Sequence, residues 1–554
     1  MSVVRTRFAP SPTGYLHIGG VRTALFCYLF AKKHAEGRFV LRIDDTDQQR
    51  NVQEALAPIL SGLKWLGINW DEGPEVNGPF APYYQSQRAD KYQAAVDKLL
   101  ADGFAYRDYS RPEELQAERE EAQAAKRTFV YSRRFMAETE EDCRRFEAEG
   151  RQGVVRLKIP REGSVVVRDL IRGDVEFEWA QEQDHVIQRA DGSCLYHLAN
   201  VVDDYDLQIT HVIRAEEHLS NTPRQIFIAQ SLGYPLPQYA HLPFVAEPGS
   251  KTKLSKRKLD KYLKNRDFAK LVEQGKKIAD RVGLATTADG FNPVIVDFYR
   301  QVGYLPEAID NYIALLGWAL DDKSEYFSLK ELLDLFTLEG VTKASASFDP
   351  AKLFAFQEKH MAELPAAEKY ARVLRYLIAA KYVEAPEYAD ATFEALPELA
   401  PAETVVRLPW TDALSPEAVK ATIEKTVAAA GDRIKVSGDV LDFDEFFTDD
   451  AAFPIDEKAW KKRIVDDADA VGRLADFLAE LEAIPEAEFV AETLDAALHA
   501  FLEKRELKPA QLIHALRVAS TGKGVGVGMF DALAILGKDR ATKRIRRSLE
   551  LARQ

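Results

Sequence analysis

Cysteine is scarce in this chain. Among 554 residues only Cys27, Cys143 and Cys194 occur, far apart and in no paired spacing. That argues against a disulfide framework or a zinc knuckle and fits a reducing compartment. Long apolar runs are missing as well. None approaches the roughly 18 residues of a membrane span, and the opening stretch MSVVRTRFAP has no apolar signal segment. The chain therefore reads as soluble and cytoplasmic, with no membrane partner. Low-complexity tracts are absent too, which excludes a largely disordered chain. The length exceeds what one compact core usually holds, so roughly three to five structural units are expected.

Positive charge is in deficit, with a net charge of −14. This does not exclude a polyanionic partner, because net charge averages over faces that such a partner never touches. Residues 251–266 carry eight basic residues and one acid, and residues 538–553 carry seven basic residues and two acids. Each patch can supply phosphate contacts, or be no more than a solvated face.

What is present has an α/β texture. A strand is expected over 3–8, followed by the loop Pro10-Ser11-Pro12-Thr13-Gly14. A helix over 20–35 then places Val21, Leu25, Tyr28 and Leu29 on one face. A second strand over 39–43 ends in the acidic turn Asp44-Asp45-Thr46-Asp47 and leads to a helix over 54–66. This order predicts a parallel sheet. Between 90 and 196 the texture changes to a charged helix (113–126) and short strands (154–159, 165–167, 175–179), with Asp191-Gly192 as a hairpin turn. An α+β insertion is expected there, after which Val212-Ile213-Arg214 and a helix over 223–232 resume the first pattern. Beyond about 305 no strands are expected. Trp460, Ile464, Val471, Leu474, Leu478 and Leu481 keep helical spacing, as do Leu494, Leu498 and Phe501, and Leu512, Leu516 and Ala519. Ser415-Pro416 reads as an N-cap followed by proline in the first turn. The last 200 residues are expected to be all-α, in two bundles, with a proline-rich seam near 397–409.

Two strings carry chemistry. In the first, Arg7 to Gly20, a strand leaves through a rigid proline loop and a helix starts just past His17. A helix N-terminus presents free N–H groups and a positive dipole to phosphate. Gly19 and Gly20 allow a ligand close to the backbone, and His17 can hydrogen-bond a phosphate oxygen as charge builds. In the second, Lys251-Thr252-Lys253-Leu254-Ser255-Lys256-Arg257-Lys258, a dense basic loop can neutralise a pyrophosphate leaving group. A third string, Gly522 to Gly528, suggests a dinucleotide loop but follows a helix rather than a strand. It reads as a flexible connection between helices, near RNA.

Together the first two strings resemble the paired HIGH and KMSKS signatures of class I aminoacyl-tRNA synthetases. Ala9–Gly14 with His17-Ile18-Gly19-Gly20 resembles bacterial-type glutamyl-tRNA synthetases. So do Arg42-Ile43-Asp44-Asp45-Thr46-Asp47, Tyr196 to Asp204, Val212 to Glu217, and 533–551 at the end of the chain. The resemblance implies a Rossmann-type parallel-sheet catalytic domain split by an α+β insertion and followed by an all-α anticodon-binding region. The expected divisions are 1–89 and 197–250 for the two catalytic halves and 90–196 for an inserted acceptor-stem-binding domain. The catalytic loop and a stem-contact domain follow over 251–355, and the anticodon-binding region over 356–554. The implied substrates are ATP, glutamate and tRNA, with Mg²⁺, and the implied state is a monomer. Catalysis is assigned to His17, Gly19, Lys253 and Lys256. ATP is assigned to His17, Gly19, Gly20, Glu217, Lys253 and Lys256. Glutamate is assigned to Arg7, Ser11, Asp44, Tyr196, Asn200 and Arg214, with Arg214 reading the side-chain carboxylate, which suits a planar guanidinium.

The chain also departs from that pattern. Asp44 stands where glutamate is usual, one methylene shorter toward the substrate ammonium. Gly20 replaces the second histidine of the first signature, and Leu254 and Arg257 replace residues of the second while Lys253 and Lys256 are kept. Asp108 and Ser110 stand near the position of a zinc knuckle that some relatives carry, so no zinc is expected. The stretch after Lys258 (near 259–300) is longer than the usual connection and rich in Lys261, Lys264, Lys270, Lys276 and Lys277. It reads as an added helical element touching tRNA, or equally as surface decoration.

Overall fold

The structure is a computed structural model that describes residues 3–12, 14–46, 52–287 and 290–554. Thr13 and Asp47, part of two of the motif strings, lie outside the described residues. Twelve short strands occur in chain order. They are β1 (Arg5–Phe8), β2 (Arg38–Leu41), β3 (Ala105–Asp108), β4 (Met136–Ala137), β5 (Val154–Leu157), β6 (Ser164–Asp169), β7 (Gly173–Glu178), β8 (Val186–Gln188), β9 (His211–Ala215), β10 (Gln238–Leu242), β11 (Val245–Ala246) and β12 (Ala346–Ser347).

A six-stranded sheet has the order β2-β1-β9-β10-β6-β7. All its pairs are parallel except the β6–β7 hairpin at one edge. Every residue of β1 is buried, Arg5 and Arg7 included, as expected of a strand covered on both faces. β1 pairs with β2 on one side and with β9, about 200 residues later, on the other. The strand order therefore reverses between β1 and β9, and in open α/β sheets the crevice at the carboxyl ends beside such a reversal is the usual binding place.

The insertion is a separate antiparallel sheet, β4-β3-β5-β8. It is narrower than expected, because residues 165–167 and 175–179 belong instead to β6 and β7 and their helical turn and extend the six-stranded sheet. Their alternating pattern was read correctly as strand, but local pattern does not reveal which edge a hairpin joins. The insertion also has no core of its own on this side. Val155, Leu157, Ile187 and Trp179 pack in one cluster with Leu198, Ala199 and Val202 of the helix Tyr196–Asp206 and Ile228 of the helix Thr222–Leu232.

The described residues form two compact units, 1–269 with 288–298 and 306–353, and 270–287 with 299–305 and 354–554. In the first, β11 pairs with β12, so one short strand does occur beyond 305. In the second, described residues 354–554 are helices and turns. Ser415 caps the helix Pro416–Ala430 through the Ala418 N–H, at 3.3 Å. The periodic series from Trp460 to Leu481 is broken at 466–469, between a π-turn (Lys461–Val465) and the helix Ala470–Ala483. Part of the basic stretch 538–553 is turned to the protein's own carboxylates. Arg540 and Arg544 are buried, and both bond Asp450, at 3.1 and 2.6 Å, while Arg546 pairs with Glu482. The loop Gly522–Gly528 does connect two helices, but it is anchored: Lys523 Nζ bonds Asp444 at 2.5 Å and Glu445 at 2.7 Å.

Candidate active site

The helix Ile18–Lys32 starts just past His17, as the first string implies and two residues before the 20–35 span read from periodicity, with His17 itself as the cap. Its Nδ1 accepts the Gly19 N–H at 3.0 Å. A Cβ at Gly19 would stand 3.3 Å from that nitrogen, so a side chain there would press on the ring. With Nδ1 accepting, neutral His17 carries its proton on Nε2, which remains available as a donor. Burial, and then the charges of Lys253 and Lys256, push the imidazole down to about 4, so it is neutral at physiological pH.

His17 lines a cleft of about 320 Å³ that opens at the carboxyl ends of β1 and β9. Of the twelve site residues expected from sequence, eleven line this cleft: Arg7, Ser11, His17, Gly19, Gly20, Asp44, Tyr196, Asn200, Arg214, Glu217 and Lys253. Lys256 does not line it, although its charge is felt at His17. The volume lies at the small end of ligand pockets.

The basic loop is held by carboxylates. Lys253 pairs with Glu217, and Lys258 and Lys261 both pair with Glu247. Lys256 makes no ion pair among the described residues, and its carbonyl accepts from Asn292 Nδ2 at 3.0 Å. The same segment touches the first signature. Ile18 N–H donates to the Val294 carbonyl at 2.9 Å, and Val296 N–H donates to the Leu16 carbonyl at 3.0 Å. Residues 292–296, within the stretch expected as an addition, thus tie the two signatures together. No sequence signal marked them.

The opposite wall is ionic. Arg42, fully buried, bonds Asp44 (2.7 and 3.2 Å) and Asp204 (2.8 Å), and Arg7 Nε bonds Asp204 at 3.1 Å. Burial raises the Asp44 carboxyl to about 6 even against Arg42. Arg7 is thus committed to a protein carboxylate, a partner that its assignment to glutamate did not foresee.

Arg214, on β9, is different. Its Nε donates to His241 Nε2 at 3.1 Å. Its Nη2 donates to Gln225 Oε1 at 2.6 Å, Thr222 Oγ1 at 3.0 Å and the His218 carbonyl at 3.3 Å. Gln225 in turn donates to Asn200 Oδ1 at 3.2 Å. Every one of these partners is neutral. The remaining nitrogen, Nη1, is buried without a hydrogen-bond partner, and burial lowers the pKa of the group. A buried guanidinium with no anion bonded to it and two unused N–H groups is costly unless a ligand supplies the charge. His241, Gln225 and Thr222 were not singled out from sequence, because neither spacing nor a motif points to them.

In the insertion, Asp108 accepts from Ser110 (2.6 Å), Arg156 (2.7 Å) and Tyr131 (2.5 Å). Among the described residues no group of three or more His, Cys, Asp or Glu side chains is arranged to hold a metal, and no helix is long and apolar enough to cross a membrane.

Comparison with known proteins gives this geometry a family. A model described as tRNA synthetases class I (E and Q), catalytic domain, matches residues 3–276, and an anticodon binding domain model matches 388–549. A glutamate–tRNA ligase of Moorella thermoacetica is 38% identical over 554 residues, covering 100% of this chain and 99% of that protein. Glutamate–tRNA ligase 2 of Caldicellulosiruptor saccharolyticus is 37% identical over 99% of both. The crystal structure of a glutamate tRNA ligase from Elizabethkingia meningosepticum, in complex with its amino acid, superposes with a TM-score of 0.78 at 31% identity and 99% coverage of each chain. With a parallel-sheet catalytic half, a helical C-terminal half and both signatures in one cleft, the chain belongs to the glutamate–tRNA ligase family of class I tRNA synthetases.

Proposed function

We propose that this chain ligates L-glutamate to tRNA through a glutamyl-adenylate, using the cleft between β1 and β9. The observation that carries the choice of amino acid is the unsatisfied Nη1 of Arg214. A γ-carboxylate there would accept from Nη1 and neutralise the buried charge. A glutamine amide would offer one acceptor and no charge, so glutamine is disfavoured. Asp44, held by Arg42, would receive the substrate ammonium, while Tyr196 and Asn200, one helical turn apart, would complete the pocket.

In the first step an α-carboxylate oxygen attacks the α-phosphorus of ATP and pyrophosphate leaves. Neutral His17 donates its Nε2 proton to a phosphate oxygen without surrendering it, and Lys253 and Lys256 offset the charge on the departing pyrophosphate. In the second step the terminal adenosine 2′-hydroxyl attacks the activated carbonyl carbon, AMP leaves with the bonding electrons, and the hydroxyl proton passes to a phosphate oxygen of the departing AMP. Positioning and electrostatics carry both steps, with no covalent nucleophile on the protein. Mg²⁺ would arrive bound to the nucleotide phosphates. Among the described residues no group of three or more His, Cys, Asp or Glu side chains is placed to hold an ion.

The inserted sheet would hold the acceptor end and the second unit the anticodon. The match of an anticodon binding domain over 388–549 favours this over a relative that glutamylates a tRNA base with a catalytic half alone. Three free thiols suit the cytoplasm, a monomer is the state the family resemblance implies, and no zinc is assigned. The test is glutamate-dependent ATP–pyrophosphate exchange and aminoacylation, each measured with and without tRNA. Folded protein without exchange or charging under either condition would refute the reading.

A further inference from the structure

Arg214 is aimed by a chain of two further residues. Asp169 lies at the end of β6, the strand that joins the sheet beside β10. Its carboxylate accepts from four N–H groups: Ile171 at 3.0 Å, Arg172 at 2.8 Å, the His241 backbone at 3.0 Å and His241 Nδ1 at 2.6 Å. A carboxyl surrounded by donors is ionised and can only accept. Burial opposes that charge, but the His241 and backbone bonds more than offset it. Nδ1 must therefore carry a proton, and Nε2, facing the Arg214 Nε–H, must be the acceptor. This tautomer suits Asp169 and Arg214 together, because a proton on Nε2 would meet the Arg214 N–H head-on, and Nε2 can also accept from the Thr222 hydroxyl at 3.2 Å. Both residues are buried. The Arg214 guanidinium also lies 5.9 Å from the centre of the Tyr239 ring, which floors it from β10.

We propose that Asp169 and His241 are positioning residues that fix the rotation of the Arg214 guanidinium, so that Nη1 rather than Nε faces the substrate carboxylate. The physical reason is geometric. A guanidinium can present either its Nη1–Nη2 edge or its Nε–Nη2 edge, and a neutral acceptor on Nε occupies one of them without cancelling the positive charge. A carboxylate in the His241 position would bind the arginine just as well but would remove the charge that selects glutamate over glutamine. Asp169, one residue removed, can be anionic because the imidazole separates it from the guanidinium. Neither residue needs to touch the substrate.

The inference rests on glutamate being the amino acid, and the test separates the two. The full chain is assayed by exchange and aminoacylation in the presence of tRNA, with glutamate and glutamine each varied. His241→Phe keeps the ring and removes the acceptor. Its glutamate KM is expected to rise roughly tenfold or more, with ATP KM unchanged, kcat at saturating glutamate within about threefold, and glutamate-over-glutamine preference reduced. His241→Gln, whose side-chain oxygen stands near the place of Nε2, is expected to recover part of the loss. Asp169→Asn, which frees the imidazole to adopt the other tautomer, should raise glutamate KM several-fold, and it carries the test where His241→Phe fails to fold. An unchanged glutamate KM in the folded variants, an equal loss in Phe and Gln, or a loss shared with ATP KM overturns the positioning role. A wild-type chain without glutamate-dependent exchange overturns both the role and the reading beneath it.

Discussion

His17 accepts the Gly19 backbone proton at 3.0 Å, so the residue proposed to touch phosphate is also the residue that starts the signature helix. The two roles are separable. His17→Ala is expected to lower kcat for pyrophosphate exchange roughly 10²–10³-fold, the usual cost of removing one donor from a developing charge. Its stability should fall by only about 1 kcal/mol through the lost cap. His17→Asn keeps a capping acceptor and should restore stability without restoring rate. Thermal melts beside exchange kinetics distinguish the two. With the imidazole pushed down to about 4, kcat should show no inflection from His17 between pH 5 and 8.

Asp44 gives the site a different pH dependence. Its carboxyl is raised to about 6, so it is ionised at pH 7 and protonates as pH falls through that value. A substrate ammonium needs the ionised form. Glutamate KM is therefore expected to be flat above about pH 7 and to climb toward tenfold per pH unit below about 6, before the substrate's own γ-carboxyl titrates near 4.3. Asp44→Asn should raise KM at pH 7 and abolish the slope. Initial rates between pH 5 and 8 check both.

Arg214→Ala removes charged hydrogen bonds typically worth about 1.5–3 kcal/mol, which corresponds to a rise in glutamate KM of roughly 10–150-fold. Arg214→Lys should recover little, since an ammonium cannot bond His241 and the γ-carboxylate together in the guanidinium geometry. Retained selectivity for glutamate over glutamine in Arg214→Ala would remove the residue from the role of carboxylate reader.

Lys256→Ala is expected to reduce exchange roughly 10²-fold or more while leaving glutamate KM nearly unchanged, because the proposed role of the lysine is toward the departing pyrophosphate and not the amino acid. Adenylate formation near the wild-type rate would mean that the basic loop serves another purpose.

In the second unit, Asp450 is the shared anion of Arg540 and Arg544. Asp450→Ala leaves two buried guanidiniums short of a counter-charge and is expected to cost about 3–5 kcal/mol, read as loss of the C-terminal helices by circular dichroism. Arg546→Ala, on an exposed pair with Glu482, should change stability by less than about 1 kcal/mol.

Sequence alone determined much of this protein, and the reason is local. The strand-loop-helix around His17, the strand carrying Arg214 and the capped helix after Ser415 all follow from periodicity, caps and proline placement, which act over a few residues. The two signature strings hold six of the eleven cleft-lining residues expected from sequence, and the other strings of the family resemblance hold the remaining five. Tertiary structure alone decided the rest. It joined the β6–β7 hairpin to the catalytic sheet and so brought Asp169 to His241 across 72 residues. It brought Asn292 to the Lys256 carbonyl and Arg540 and Arg544 to Asp450. It also surrounded Arg214 with neutral hydrogen-bond partners, while committing Arg7 to Asp204. Each of these pairings is set by which strand edges meet and by where buried charges find counter-charges. Both are long-range choices that burial enforces and that no local pattern encodes.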